Sequence, residues 1–175
     1  LFWASLMYGW QLVSGDVSTA FLHAPIPEGV TIYVLPPPNI RQRKLGIVWR
    51  LKRTFYGLRH SPKYWQDYFR SLLRKLGFSV SSADPSFYFM RLNNVLVCLL
   101  SVHTDDLMLT GVKEICDKVM RGIAKAVSIK WNPKISDDTW TKYLGREYRR
   151  LGNTLIVRIP QKYWDDTLKM AGLKG

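Results

Sequence analysis

Two adjacent aspartates, Asp105 and Asp106, stand between two apolar runs of β-forming residues, Val95–Val102 and Leu107–Leu109. Burying two like charges side by side is costly unless a cation or hydrogen-bond donors neutralise them. One strand leads into the pair and another leads out, so the pair belongs at a tight turn on the rim of a core. A divalent cation is the natural counter-charge there, because Mg²⁺ takes carboxylate oxygens together with water and substrate phosphates. The plainer reading is a solvated turn, since Asp is a good turn former. Asp137-Asp138 and Asp165-Asp166 fit that plainer reading as helix-start or surface acids. Asp105-Asp106 is set apart by its strand–turn–strand setting and by a third carboxylate, Asp16, at the end of the strand-like Leu12-Val13-Ser14-Gly15. A strand-end Asp with a hairpin-turn Asp pair is the arrangement needed to hold two metals roughly 3.5–4 Å apart, which stabilise both oxygens of an in-line displacement at phosphorus. Spacing alone does not bring the two segments together.

Charge points to the partner. The 175 residues hold 26 Lys and Arg against 13 Asp and Glu, a formal net charge of +13. Such an excess suits a polyanion, nucleic acid first and an anionic membrane second. The longest apolar run, Val95–Leu100, falls far short of the ~18 residues that span a bilayer. Cys98 lies in an apolar strand pattern and Cys116 in a helical one, with no CxxC or Cys/His cluster. A disulfide framework or zinc site is therefore not expected, and a reducing intracellular compartment is. The chain starts in mid-pattern without Met or a signal-peptide layout and reads as the middle of something longer.

The pattern of elements predicts α+β with an antiparallel sheet. Leu1–Val13 reads as an apolar helix running into a strand, Thr31–Leu35 as a short strand among prolines, and Arg41–Arg53 as a basic stretch interrupted by Ile47-Val48-Trp49 and Leu51. Ser61-Pro62 opens a helix that Gly77 stops, with Ser61 as the expected cap. Its stripe of Tyr64, Trp65, Tyr68, Phe69, Leu72, Leu73 and Leu76 reads as core packing rather than a base-stacking platform. Phe87–Leu92 and Val95–Val102 form a hairpin through Asn93-Asn94. Lys113–Val127 and Gln161–Ala171 read as helices, and Tyr143–Arg149 and Thr154–Ile159 as strands.

Six ordered blocks from about Trp10 to the C-terminus resemble the reverse transcriptases of copia-type retrotransposons. The family's first carboxylate motif is similar to Gly15-Asp16-Val17-Ser18-Thr19-Ala20-Phe21-Leu22-His23, followed by Ile32-Tyr33-Val34. Its "LYGLKQAP" signature resembles Leu51–Pro62, with the trailing Trp65. Gly77-Phe78 and Asp84–Tyr88 resemble "LGF…DPCLY", the aspartate turn "YVDDML", Tyr143–Glu147 "FLGIEI", and Gln161-Lys162-Tyr163 "QKKYI". The chain departs from the family at His103-Thr104, where Tyr-Val is usual, and at His60, where Gln is usual.

The resemblance implies an RNA-directed DNA polymerase domain: a right-hand palm with partial fingers over residues 1–175, cut short of the upstream fingers, the thumb and RNase H. It implies that Asp16, Asp105 and Asp106 are the catalytic metal ligands for two Mg²⁺, with Mn²⁺ as a substitute. Phe21 is implied as an aromatic gate against the ribose 2′-OH, with a plain core Phe as the alternative. Tyr56, Gly57 and Arg59 would meet the incoming nucleotide, and Lys52, Arg53 and His103 the nucleic acid. Partners would be an RNA template, a DNA primer, dNTPs and the rest of the Pol polyprotein, RNase H and integrase included, with no membrane. Copying is expected in a cytoplasmic particle, with the product bound for the nucleus. Two other readings stand beside it: a decayed retroelement fragment that at most binds nucleic acid, and an unrelated basic RNA-binding module. The second would need stacking aromatics on an exposed sheet.

Overall fold

A computed structural model describes residues 1–136 and 138–173, so Asp137 lies outside the described residues. The chain runs α1 (Phe2–Met7), β1 (Gln11–Val17), α2 (Ala20–His23), β2 (Tyr33–Val34), α3 (Arg41–Lys44), β3 (Trp49–Arg50) and α4 (Ser61–Lys75). It continues with β4 (Ser79–Val80), β5 (Phe87–Leu92), β6 (Val95–His103), β7 (Asp106–Gly111), α5 (Lys113–Ala124) and β8 (Ile129–Trp131). Last come β9 (Thr141–Tyr143), β10 (Arg146–Leu151), β11 (Thr154–Arg158) and α6 (Gln161–Met170). Mixed helices and antiparallel sheets follow, as expected.

The main sheet has six strands in the order β4-β5-β6-β7-β1-β8, every pair antiparallel. Strand β1 enters between β7 and β8, so the earliest long strand becomes interior. The β5–β6 hairpin turns on Asn93 and Asn94, both at positive φ (49° and 63°), as a two-residue turn of right-handed twist requires. Two core clusters line the sheet's two faces. On one, Val17, Leu100, Leu107 and Leu109 pack against Trp65, Phe69 and Leu73 of α4 and Cys116, Val119 and Ile123 of α5. On the other, Leu12 and Met108 meet Ile135, Tyr143 and Tyr148. The aromatic stripe of α4 is therefore core, with Trp65, Phe69 and Leu73 buried.

Three local expectations need correction. Ser61 does not cap α4: His60 holds that position, and the buried Ser61 hydroxyl donates to the Phe55 carbonyl at 2.6 Å. Tyr143 does not begin the β10 strand, because Leu144 and Gly145 both take positive φ (47° and 70°) and fold β9 back as a separate strand. The strand over 31–35 shrinks to Tyr33–Val34, which pairs with β3 in a two-stranded sheet. Cys98 and Cys116 are free and buried. Among the described residues no helix is long and apolar enough to cross a membrane.

Buried and part-buried hydrogen bonds tie the three-stranded sheet β11-β10-β9 to the main sheet, one of them at Ser14. Ser14, 1% exposed, donates to the Lys142 carbonyl at 3.0 Å and accepts from the Asn132 amide at 2.8 Å. Removing one partner of a buried hydrogen bond leaves the others unsatisfied, at a cost of about 1–3 kcal/mol. Ser14→Ala should therefore lower the midpoint of urea unfolding and raise amide exchange in β9 before β5. An unchanged exchange pattern would count against the seam.

Candidate catalytic site

Asp16 is the next-to-last residue of β1, and the sheet register sets it opposite Asp106, the first residue of β7. Residues paired in an antiparallel ladder point to the same face, so the two carboxylates stand on one side of the sheet. The ladder continues into the turn: the Val17 amide donates to the Asp105 carbonyl at 2.9 Å. His103, the last residue of β6, pairs with Asp106 from its other side. The sheet thus gathers Asp16, Asp105, Asp106 and His103 at one end of its interior strands, although ninety residues separate Asp16 from Asp106 in the chain.

Sequence details explain why β1 can end there. Gly15 is covered by the ring of Trp131, and a Cβ at Gly15 would lie 2.6 Å from its Cε3. Only glycine lets β8 close against β1 beside Asp16 without displacing that ring. After Val17 the chain turns through Thr19, at φ 52°, into α2. Thr104, at φ 55°, makes the equivalent reversal before Asp105. Both are β-branched residues in the left-handed region, which most side chains avoid.

The electrostatics follow from the crowding. Partial burial pushes the Asp106 carboxyl up, the charges of Asp105 and Asp16 push it further, and His103 offsets part of this. Tyr143 is also pushed up, chiefly by burial, and its hydroxyl donates to Ser101 at 3.3 Å. A carboxylate destabilised by two others suits a cation. The donors are hard oxygens, which fit Mg²⁺, an ion that keeps water and takes one or two carboxylates plus substrate phosphates. Among the described residues no group of three or more His, Cys, Asp or Glu side chains stands together as a metal site.

A cleft of 480 Å³ opens over this end. Asp16, Asp106, Asn132, Lys142, Lys162 and Tyr163 are among the residues that line it. Asp166, read from the sequence as a surface acid, is part of that lining. The sequence also gave no sign of Lys130, which the register places opposite Asp16 on the side away from Asp106. Its strand is three residues long, and such a stretch carries no usable periodicity.

The residues expected at the nucleotide form a second group, outside that cleft. Phe21 meets Tyr56 with ring centroids 5.0 Å apart. The buried Thr54 hydroxyl donates to the Phe21 carbonyl, its amide to the Ala24 carbonyl at 2.9 Å, and Arg53 to the His23 carbonyl. Arg53 stands exposed, as Lys52 and Arg59 do. Gly57 takes φ 88° in its turn, with open space where a side chain would project.

A family model described as reverse transcriptase (RNA-dependent DNA polymerase) matches residues 1–175. The chain is 27% identical over 143 residues to the retrovirus-related Pol polyprotein from transposon RE2 of Arabidopsis thaliana, with 81% of the chain and 9% of that protein covered. It is 30% identical over 164 residues to the transposon Ty1-BL Gag-Pol polyprotein of Saccharomyces cerevisiae, covering 87% of the chain. The chain spans 9% of the length of each of these polyproteins. Among solved structures it is similar to an apo telomerase from Candida tropicalis truncated from its C-terminal domain, with a TM-score of 0.46, 12% identity, and 91% of this chain and 38% of that one covered.

Because the folded chain binds the Asp106 proton more tightly than the unfolded chain does, the charged carboxylate costs stability. That cost is absent below the ordinary carboxylate value, grows as pH rises through the raised one, and is complete above it. Asp106→Asn should accordingly melt higher than the parent at pH 7 without metal, and the gain should shrink as pH falls through the carboxylate range. An equal or lower melting temperature at pH 7 would contradict the crowding.

Proposed function

We propose, from the premise that the chain belongs to the reverse transcriptase (RNA-dependent DNA polymerase) family, that its main sheet is a polymerase palm with partial fingers, catalysing nucleotidyl transfer at Asp16, Asp105 and Asp106. The observation that carries this reading is the β1–β7 register, which sets Asp16 beside Asp106 and ties Asp105 to Val17. The substrates are an RNA template, a DNA primer and dNTPs, and the rest of the Pol polyprotein supplies the other activities. Copying takes place in a cytoplasmic particle, and the product is bound for the nucleus.

Asp16 and Asp106, from adjacent strands, and Asp105, from the turn, would hold Mg²⁺, or Mn²⁺ in its place. Bound there, the metal supplies positive charge where negative charge develops on the reacting phosphate oxygens. The primer 3′-OH attacks the α-phosphorus of the dNTP. A new P–O bond forms while the bond to the β-phosphate oxygen breaks, pyrophosphate leaves, and the hydroxyl proton passes to solvent. Phosphoryl transfer asks the protein mainly for positioning and charge. Phe21, braced by Tyr56 and by Thr54 at its carbonyl, forms the wall that excludes a 2′-OH. Lys52 and Arg59 meet phosphates, and His103 flanks the primer end.

The test is primer extension on an RNA template with a DNA primer, in Mg²⁺ and in Mn²⁺. Asp16→Asn, Asp105→Asn and Asp106→Asn should each slow it by at least about a hundredfold. Extension that survives these substitutions would sink the carboxylate assignment. Silence from the chain, and again from the chain within its flanking polyprotein, would favour a decayed copy. Phe21→Ala should raise ribonucleotide use relative to deoxynucleotide by about tenfold or more, since a hydroxyl is then no longer excluded. Unaltered sugar selectivity would return Phe21 to the core.

A further inference from the structure

Trp65 is buried to 1% exposure on the inner face of α4, stacked on Phe69 with ring centroids 4.9 Å apart. Packing accounts for its ring but not for the direction of its one polar atom. The indole Nε1–H leaves the helix and donates to the Thr104 carbonyl at 2.7 Å. A buried indole N–H requires a partner, and it has taken the peptide carbonyl that immediately precedes Asp105.

That peptide has reason to need an anchor. Thr104 is β-branched and sits at φ 55°, where its Cβ crowds the following carbonyl. A cavity of 50 Å³ lined by Trp65, Gln66, Arg70, Ser86, Val102 and Thr104 lies beside the bond. Close packing therefore does not hold the turn on that side. On the other side the next carbonyl, that of Asp105, accepts from the Val17 amide. Two consecutive carbonyls are thus tied to two different elements, one to α4 and one to β1. Asp105 lies between the ties.

We propose that Trp65 is a positioning residue for the aspartate turn: its indole N–H holds Thr104 in the left-handed conformation and so aims Asp105 and Asp106. The importance of this for catalysis rests on the function proposed above, but the tether itself does not. A Trp that only fills the core would weaken the whole fold when trimmed. A tether would loosen the turn alone, and a residue at ease at positive φ would make it dispensable.

The experiment is amide hydrogen exchange on the whole chain, without metal or substrate, comparing the parent, Trp65→Phe, Thr104→Gly and the double variant. Trp65→Phe should speed exchange over residues 103–106 by about tenfold, the equivalent of one lost hydrogen bond, and leave β5 and α5 within about twofold. Thr104→Gly in the same chain should bring the turn back to within about threefold of the parent, since glycine adopts positive φ without penalty. Unchanged exchange at the turn, a uniform rise across the core, or a local rise that Thr104→Gly leaves untouched would each overturn the proposal. Should Trp65→Phe not fold, the parent still decides. Its Trp65 indole proton, followed by ¹⁵N NMR, should exchange slowly, and exchange as fast as that of the exposed Trp3 would overturn the tether. Because no step of this readout needs polymerisation, an inactive chain would leave it standing, and a failed tether would leave the carboxylate assignment standing.

Discussion

The antiparallel pairing of β1 with β7 is the contact on which the rest of the site depends. Six residue pairs run from Gln11 opposite Gly111 to Asp16 opposite Asp106. The apolar end of this ladder is buried on both faces, by α4 and α5 on one and by Tyr143 and Tyr148 on the other. Its acidic end is open to the cleft. The buried end holds the register, and a slip of one residue would turn every side chain to the wrong face. Carboxylates that repel one another are therefore kept together by backbone hydrogen bonds and apolar packing a few residues away.

What surrounds the ladder either admits or aims its acidic end. Gly15 admits Trp131, so β8 can close beside Asp16 and bring Lys130 to the other flank. Ser14 holds the Lys142 carbonyl of β9, and Lys142 and Tyr143 line the same cleft as Asp16 and Asp106. Trp65 reaches from α4 to the peptide before Asp105. Each is buried or covered, and each acts on the exposed chemistry through the backbone. Phe21 is treated likewise, its helix clamped at the carbonyls by Arg53 and Thr54.

Legibility tracked the length and regularity of each segment. Helix α4 carries its apolar positions at helical spacing over fifteen residues, and its core face was readable. The β5–β6 hairpin announces itself through Asn93-Asn94. The break at Leu144-Gly145 was not readable, because Leu at positive φ runs against its local preference and is imposed by the pairing of β9 with β10. Ser61 looked like a cap because of its residue type, but tertiary contact gave its hydroxyl to Phe55.

The sequence by itself determined that a carboxylate pair lies between two strands, that a third carboxylate ends another strand, and that the chain resembles a polymerase family in ordered blocks. These are matters of local pattern, fixed by residue type and spacing. Only the tertiary structure decided which residues neighbour those carboxylates: Asp106 and Lys130 on either side of Asp16, and the Trp65 indole at the turn. The physical reason is that strand pairing and the direction of a buried N–H depend on what lies across the sheet. Residues about forty to one hundred and fifteen positions away in the chain cannot signal that through any local pattern.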